Sequence, residues 1–158
     1  MIWRIREMTE GDVKRVHQIE LKAHIVPWSE RILHDCVVVG YNCLILEIEE
    51  NNRWIIVGYI ICRQKFGCCH ILNLCIDTDY QTQGYGRKLI EHVLQQISQN
   101  PELLYAALEV RPSNLIALNL YQSLGFKQAE IKKDYYNEQG QIEDAILLKK
   151  VLYNNKFE

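Results

Sequence analysis

The amino-acid sequence has almost no net charge and no run of charges of one sign. Its 158 residues include 18 lysines and arginines and 20 aspartates and glutamates, giving a formal net charge of −2 at pH 7. Proteins that bind nucleic acid through its phosphates usually carry a basic surface. We therefore expect no direct binding of nucleic acid, and any charged partner must be recognised by a few local side chains.

Long apolar segments are also missing. No stretch approaches the roughly 20 consecutive apolar residues that span a bilayer. The N-terminus, residues 1–6, alternates apolar and basic residues, whereas a secretory signal needs a continuous apolar segment there. The sequence thus predicts a cytoplasmic protein without a membrane partner.

The cysteines lack the paired spacing of metal-binding or redox motifs, since no Cys-x-x-Cys occurs. Most of them lie within apolar, strand-like segments, where reduced cysteine behaves as a small hydrophobic residue. We expect them to fill the core, and we expect neither disulfides nor a bound metal ion. The six are Cys36, Cys43, Cys62, Cys68, Cys69 and Cys75.

The order of apolar patterns predicts an α/β (α+β) protein. Alternation indicates strands, and apolar residues three and four apart indicate helices. A chain of 158 residues is the size of one ordinary domain, so we expect a single domain over 1–158. The predicted order is a strand over 2–6, helices after Thr9 and after Ser29, three antiparallel strands over 43–48, 54–62 and 68–76, a helix over 89–97, a strand over 104–110, a helix from Asn114 to Gly125, and a hairpin over 127–136 and 142–151.

The most informative local motif is the segment 81–88, Gln-Thr-Gln-Gly-Tyr-Gly-Arg-Lys, which stands between a predicted strand and a predicted helix. Gly84 and Gly86 let backbone N–H groups converge, and the start of a helix adds the positive end of its dipole. Such a turn is typical of a phosphate or pyrophosphate site. The chain has no nucleoside-triphosphate loop, and Leu89 stands where a dinucleotide fingerprint needs its third glycine. The alternative is a plain tight turn followed by solvated basic residues.

The same segment resembles the Q/R-x-x-G-x-G/A signature of the GNAT family of N-acetyltransferases, whose order of strands and helices matches the predicted one. Other segments are similar to the bacterial ribosomal-protein alanine N-acetyltransferases of that family. They are 73–77, 108–114, 117–121 with 124–126, 135–136 with 143–145, and the His-x-x-Pro-Trp-Ser loop at 24–29. The resemblance implies the GNAT acyl-CoA N-acyltransferase fold, a mixed sheet of about seven strands flanked by about four helices.

The resemblance also implies that acetyl-CoA is the co-substrate, and that no metal is used. Backbone groups of the strand before the turn would bind the pantetheine arm and the acetyl carbonyl, and the turn would bind the pyrophosphate. A residue at the start of the later helix would bond the pantetheine arm. The implied contacts are Leu74, Cys75, Ile76, Thr82, Gln83, Gly84, Tyr85, Gly86, Arg87 and Asn114.

Glu109 and Tyr121 are the catalytic residues that the resemblance implies. In similar enzymes the position of Glu109 is the general base, which takes a proton from the amine directly or through a water. Tyr121 would lie near the sulfur of the leaving coenzyme. Asn114 and Tyr121 are seven residues apart, about two helical turns, so they face the same way. Spacing alone fits equally a helix cap at Asn114 and a core tyrosine.

The expected reaction follows from the same resemblance. It is direct attack of an N-terminal α-amino group on the thioester, and the acceptor is the N-terminal alanine of a small-subunit ribosomal protein. Pro27, Trp28 and Tyr136 would line the acceptor groove, although they fit equally a role in covering the sheet. The alternatives are a family member that acetylates lysine or a small-molecule amine, and a catalytically silent acyl-CoA-binding module. We expect a monomer.

Overall fold

The computed structural model describes residues 2–138 and 140–152, which hold seven strands and four α-helices. In chain order these are β1 (Trp3–Glu7), α1 (Val13–Ala23), α2 (Glu30–Val39), β2 (Asn42–Glu50), β3 (Arg53–Lys65), β4 (Cys68–Ile76), α3 (Tyr85–Ser98), β5 (Tyr105–Val110), α4 (Leu115–Ser123), β6 (Lys127–Glu138) and β7 (Gln141–Val151). Short 3₁₀ turns lie at Glu10–Asp12 and Thr78–Tyr80. Among these residues, no helix is long and apolar enough to cross a bilayer.

The strands form one mixed sheet in the order β1-β2-β3-β4-β5-β7-β6. Strand β2 pairs antiparallel with β1 and with β3. Strand β5 pairs parallel with β4 and antiparallel with β7, which pairs antiparallel with β6. The architecture confirms the predicted α+β fold, including the numbers of strands and helices.

The chain divides into two compact units. The first comprises Met1–Arg63 and Ile71–Gln95, and the second comprises Gln64–His70 and Gln96–Glu158. Each has buried side chains of its own, such as Val16 in the first. The single domain expected over the whole chain stays a prediction.

The core of the first unit forms where the apolar faces of α1 and α2 meet strand side chains. Val13, Val16 and Ile19 are buried on α1 at the spacing an amphipathic helix requires. Five of the six cysteines are buried, as expected of small core-filling side chains. The buried cluster contains Met8, Val13, Val16, Ile19, Leu33, Cys36, Cys43, Ile45, Ile56, Tyr59, Ile61 and Cys75.

Of the first two helices, α2 has the predicted cap at Ser29, whereas α1 begins after Asp12 and, among the residues that the structure describes, has no side-chain cap hydrogen bond. Thr9 instead precedes the 3₁₀ turn Glu10–Asp12, and its backbone N–H donates to the Asp12 carboxylate at 2.7 Å. The Ser29 hydroxyl accepts a hydrogen bond from the backbone N–H of Ile32 at 3.1 Å, which starts α2. Because the Ser29 bond is local, the sequence alone was sufficient to place the start of α2.

Helix α3 begins one turn earlier than predicted. The apolar pattern indicated 89–97, whereas the helix runs from Tyr85 to Ser98. The backbone N–H of Lys88 donates to the carbonyl of Gly84 at 3.2 Å, so Gly86 lies inside the first turn. Of the two glycines only Gly84 has a positive φ, 87°. The turn therefore needs the conformational freedom of glycine at Gly84 alone.

In the second unit, helix α4 has the predicted boundaries. Asn114 caps its start, accepting a hydrogen bond from the backbone N–H of Ala117 at 3.2 Å. Gly125 follows its end with a φ of 95°, the left-handed conformation typical of a helix terminator.

The hairpin of β6 and β7 is longer than predicted. Strand β6 continues to Glu138 and β7 starts at Gln141, so the connection is shorter than the predicted 137–140. Gly140 has a φ of 78°, and Gln139 lies outside the described residues. Glycine in the left-handed region lets the chain reverse over few residues.

Strand β6 is irregular near its middle. Its register with β7 shifts between Lys132 and Tyr136, and Asp134 has a positive φ of 52°. Such an irregularity breaks the two-residue alternation of side chains. The faces on which Lys132 and Tyr136 lie therefore could not be predicted from alternation.

Candidate active site

The glycine-bearing turn of the first unit has an open side. A Cβ added at Gly84 would meet no atom of the described residues within 4 Å. Helix α3 follows directly, and the first backbone N–H groups of a helix have no acceptor within it. The turn therefore fits an anionic group such as a phosphate, which the helix dipole also favours.

The turn residues present different groups. Tyr85 is buried, so a contact with a ligand would use its backbone. The Arg87 guanidinium lies 3.8 Å from the Glu91 carboxylate, and its side chain is 42% exposed. The side-chain amide of Gln81, the first residue of the signature, donates to the carbonyl of Ile76 at 3.0 Å. This bond ties the turn to the end of β4.

Asp77 fixes the chain immediately before the turn. Its carboxylate accepts hydrogen bonds from Arg15 at 2.8 Å and from Lys22 at 2.9 Å, both on α1, and from the backbone N–H of Asp79 at 3.0 Å. Burial acts to raise the pKa of Asp77, but these hydrogen bonds outweigh it and lower the pKa to about 2. Asp77 is therefore a permanent anion at neutral pH and an anchor for the signature segment.

The side chains of the strand segment 74–76, which we predicted to contact the coenzyme, alternate in how deeply they are buried. Leu74 and Ile76 are half-buried, whereas Cys75 is buried in the first unit. Burial raises the pKa of the Cys75 thiol to about 12. A thiol in that state keeps its proton at neutral pH and is a poor nucleophile. Any contact of Cys75 with a coenzyme would thus use its backbone.

A buried carboxylate that we did not predict holds Trp28. Glu20 is 2% exposed and accepts a hydrogen bond from the backbone N–H of Trp28 at 3.0 Å. It also accepts from Nδ2 of Asn73 at 2.9 Å and from the hydroxyl of Tyr59. The sequence does contain a signal, because Glu20 stands four residues after Val16 on the apolar face of α1.

Pro27 and Trp28 are both half-buried. Trp28 packs against the core cluster of the first unit, so it does help to cover the core. Contact with an acceptor peptide stays a prediction for both.

Glu109 lies at the centre of a polar cluster in the second unit. Its Oε1 is 2.7 Å from Nε2 of His70 on β4, and its Oε2 is 2.7 Å from Nζ of Lys132 on β6. The Glu109 side chain is only 10% exposed. Neither partner was predicted, since they are 39 and 23 residues away in sequence. A charged residue in an otherwise apolar strand was the only signal that such partners exist.

These contacts change the basicity of Glu109. The hydrogen bond from His70 is the largest influence on its pKa, and together with Lys132 it overcomes burial and lowers that pKa to about 2. An α-amino group has an ordinary pKa of about 8, so moving a proton from it to this carboxylate is uphill in free energy. Glu109 is thus an anion at neutral pH, and its two partners lie within hydrogen-bonding distance of it.

Asn114 and Tyr121 lie at the start and in the last turns of α4. Asn114 caps the helix, as the plainer interpretation of its spacing predicted. Tyr121 is 7% exposed, and its ring packs edge-on against Phe126 with centroids 5.7 Å apart. Their contacts with the coenzyme stay predictions.

Tyr136 stands in a group of aromatic and charged side chains. The guanidinium of Arg111 lies 4.0 Å from the centre of its ring, and Tyr135 packs edge-on against it. Arg111 is held in turn by Glu138 at 3.0 Å and Glu143 at 3.3 Å. The Tyr136 ring is therefore held in a defined orientation, and its contact with a substrate stays a prediction.

Residues 13–126 match the acetyltransferase (GNAT) family. The [ribosomal protein bS18]-alanine N-acetyltransferase of Escherichia coli K12 is 33% identical over 144 residues, which cover 91% of this chain and 94% of that protein. The enzyme of the same name from Haemophilus ducreyi is 36% identical over 145 residues, covering 91% and 97% of the two chains.

The fold gives the same result. The crystal structure of the ribosomal-protein-S18-alanine N-acetyltransferase from Escherichia coli superposes with a TM-score of 0.85 at 31% identity, over 99% of this chain and 100% of that one. Family match, sequence identity and fold all agree with the predicted resemblance. The chain therefore belongs to the acetyltransferase (GNAT) family, and it is an N-acetyltransferase.

Proposed function

We propose that this protein transfers the acetyl group of acetyl-CoA to the N-terminal α-amino group of a protein, and that its acceptor is the N-terminal alanine of ribosomal protein bS18 in the cytoplasm. The observation that carries the proposal is the similarity to bS18-alanine N-acetyltransferases, at 31 to 36% identity over at least nine-tenths of the chain. The transfer is a direct attack of the amine on the thioester. The protonated state of the buried Cys75 thiol is in keeping with the lack of a covalent intermediate.

Residues of each unit have separate tasks in this proposal. In the first, backbone groups of 74–76 hold the pantetheine arm and the acetyl carbonyl, and those of 82–87 hold the pyrophosphate. In the second, Asn114 bonds the pantetheine arm and Tyr121 donates to the leaving sulfur. Glu109 and its hydrogen-bonding partners take up the proton that the amine loses, directly or through a water.

An α-amine should be a far better acceptor than a lysine. The ordinary pKa is about 8 for the α-amine and about 10.4 for lysine, so the deprotonated fraction at pH 7 differs about 10²-fold. We expect kcat/KM at pH 7 for a peptide with a free N-terminal alanine to exceed that for an N-terminally blocked, lysine-containing peptide by about this factor. Acetylation of both peptides by the purified protein, followed by mass spectrometry, measures the ratio.

An equal or faster reaction of the blocked peptide would refute the α-amine proposal and support a lysine enzyme. Absence of turnover with either peptide, together with retained binding of acetyl-CoA, would support the silent binding module. The physiological acceptor is tested by comparing ribosomal proteins from cells with and without this protein. Loss of the N-terminal acetyl group from bS18 is expected, and an unchanged bS18 would show that the acceptor is another protein.

Gly84 gives a test of the coenzyme site. Replacing it by valine puts a β-branched residue at a φ of 87° and fills the open side of the turn with a side chain. We expect the Kd for acetyl-CoA, measured by calorimetry, to rise about 10- to 100-fold, because the phosphates can no longer approach the backbone.

Gly140 is a matched control for backbone strain. Its φ is 78°, and within the described part of the chain an added Cβ there also meets no atom within 4 Å. Gly140→Val should have a similar cost in unfolding free energy while leaving the Kd for acetyl-CoA unchanged. If a folded Gly84→Val variant binds acetyl-CoA with wild-type affinity, the pyrophosphate does not bind at this turn.

A further inference from the structure

The pairing of the strands places three titratable side chains on one face of the sheet in the second unit. His70 on β4 pairs with Ala107 on β5, two residues before Glu109, so both side chains point to the same face. On the other side, Glu109 is opposite Leu147 of β7, and Lys132 of β6 is opposite Ala145, two residues away. The backbone register thus brings His70, Glu109 and Lys132 together.

The contacts within this cluster decide which nitrogen of His70 carries hydrogen. Lys132 is 2.7 Å from one oxygen of Glu109 and keeps the carboxylate ionised. An ionised carboxylate only accepts hydrogen bonds, so the 2.7 Å contact between its other oxygen and Nε2 of His70 requires a hydrogen on Nε2. In neutral imidazole the lone pair is then on Nδ1.

Nδ1 of His70 is available for a proton. In residues 2–138 and 140–152, no hydrogen bond to it is present, and a quarter of the side chain is exposed. A proton bound there would create an imidazolium next to the Glu109 anion, which stabilises it in the way that an aspartate supports the histidine of a hydrolase triad. The lone pair on Nδ1 of His70 can therefore take a proton, and the Glu109 anion stabilises the cation that results.

We infer that Nδ1 of His70 accepts the proton that leaves the substrate amine, while Glu109 orients the imidazole and Lys132 keeps Glu109 ionised. This inference rests on the proposed acetyl transfer and specifies its base. His70 is then a catalytic residue, and Glu109 and Lys132 are positioning residues. Histidine is the side chain that enzymes use most often as a general base.

The protons balance along this route. The α-ammonium loses its first proton to Nδ1, and the freed lone pair forms the C–N bond as the C–S bond of the thioester breaks. A second N–H proton ends on the coenzyme sulfur, giving a neutral amide and a thiol. The imidazolium then releases its proton to water through the exposed part of the ring.

Other titratable groups act on the cluster. Besides Lys132, the Glu109 charge acts on Tyr136 of β6 and on Cys68 of β4, and burial and nearby charge raise the pKa of both. Tyr135 and Glu130 act on Lys132. These upward shifts keep the Tyr136 phenol and the Cys68 thiol protonated at neutral pH, so neither of them is the base.

The tautomer can be tested without any activity measurement. In the full-length protein labelled with ¹⁵N-histidine, NMR at neutral pH should show His70 with hydrogen on Nε2, and acid titration should add the second proton at Nδ1. Glu109→Gln should weaken this tautomer preference. A His70 that carries its hydrogen on Nδ1 in the wild type would overturn the inference.

The kinetic test uses the amine that the wild type acetylates best. For His70→Gln, which keeps an N–H donor for Glu109 but has no base, we expect kcat/KM at pH 7 to fall about 10²-fold or more. The deficit should shrink above pH 8, where solvent deprotonates the amine, and the Kd for acetyl-CoA should stay within twofold. His34→Gln is the matched control, since His34 also contacts a carboxylate, Glu10 at 2.9 Å, and should keep wild-type kinetics.

Failure of the inference and failure of the proposed function give different results. If the wild type acetylates N-terminal amines and His70→Gln keeps its rate and pH profile, the inference is wrong and the function stands. A loss in His70→Gln that is equal at all pH values would also overturn it, because a structural role predicts that outcome. If the wild type prefers lysine, the proposed acceptor is wrong, and the same variant still tests the base on that amine.

Discussion

Glu109→Gln is expected to lower kcat/KM for an N-terminal peptide by about 10²- to 10⁴-fold at pH 7, with little change in the Kd for acetyl-CoA. Glutamine has nearly the shape of glutamate but no charge, so the variant loses the anion that stabilises a neighbouring cation. It also loses the strong acceptor for the Nε2 hydrogen of His70, which lies 2.7 Å away. Steady-state kinetics at saturating acetyl-CoA measure the effect.

The pH dependence of this loss carries the mechanistic information. His70 and Lys132 hold the pKa of Glu109 at about 2, so in the wild type this carboxylate is ionised throughout the range from pH 5 to 9. Falling activity in mildly acidic solution must then report another group. In Glu109→Gln the deficit should shrink above pH 8, where the α-amine is deprotonated by solvent.

Glu10→Gln is a suitable control for this substitution. Glu10 also contacts a histidine, His34, but in the first unit and with a much more exposed side chain. It should leave activity within twofold of the wild type. Full activity of Glu109→Gln at pH 7 would mean that the deprotonation needs no anion at this position, and the whole His70, Glu109 and Lys132 cluster would lose its proposed role.

Tyr121→Phe is expected to lower kcat by about 10²-fold or more while leaving the Kd for acetyl-CoA nearly unchanged. The change removes one hydroxyl and keeps the ring that packs against Phe126. A phenol has an ordinary pKa of about 10 and a thiol about 8.5, so full proton transfer to the thiolate is uphill by about 1.5 units, or about 2 kcal/mol. A hydrogen bond to the developing thiolate also requires the hydroxyl, and both roles predict the same loss.

Single-turnover kinetics and denaturant unfolding distinguish catalysis from packing in this variant. Tyr105→Phe, on β5 of the same unit, is a control that removes a tyrosine hydroxyl elsewhere, and it should keep wild-type kcat. Wild-type kcat in Tyr121→Phe would exclude the proton-donor and hydrogen-bonding roles together. A loss of unfolding free energy that parallels the loss of activity would instead indicate a core tyrosine.

The sequence by itself determined the features that depend on short-range interactions. Ser29 caps α2 because its hydroxyl reaches an N–H only three residues away, and Gly125 ends α4 because one residue needs a left-handed φ. The strand, turn and helix around Gly84 follow from the same kind of local rule. These preferences act within a turn of chain, so a linear pattern contains them.

The apolar pattern did not predict where α3 begins, because the first turn of this helix lies outside the apolar repeat. The first turn of α3, from Tyr85 to Lys88, carries a glycine and two basic residues, and hence lacks the periodicity that marks the rest of the helix. Its helical state depends on the hydrogen bond between Lys88 and Gly84, which a hydrophobic pattern does not show.

Only the tertiary structure decided the chemistry of the carboxylates. Glu109 was predicted as a base from resemblance, but its partners come from β4 and β6, 39 and 23 residues away. Which side chains meet it depends on strand order and register, and a shift of one residue would turn His70 to the opposite face. Glu20 is similar, since Tyr59 and Asn73 reach it only through the packing of α1 on the sheet. The pKa of Glu109 is thus set by side chains that are distant in the chain, and two of the hydrogen bonds that Glu20 accepts also come from distant residues.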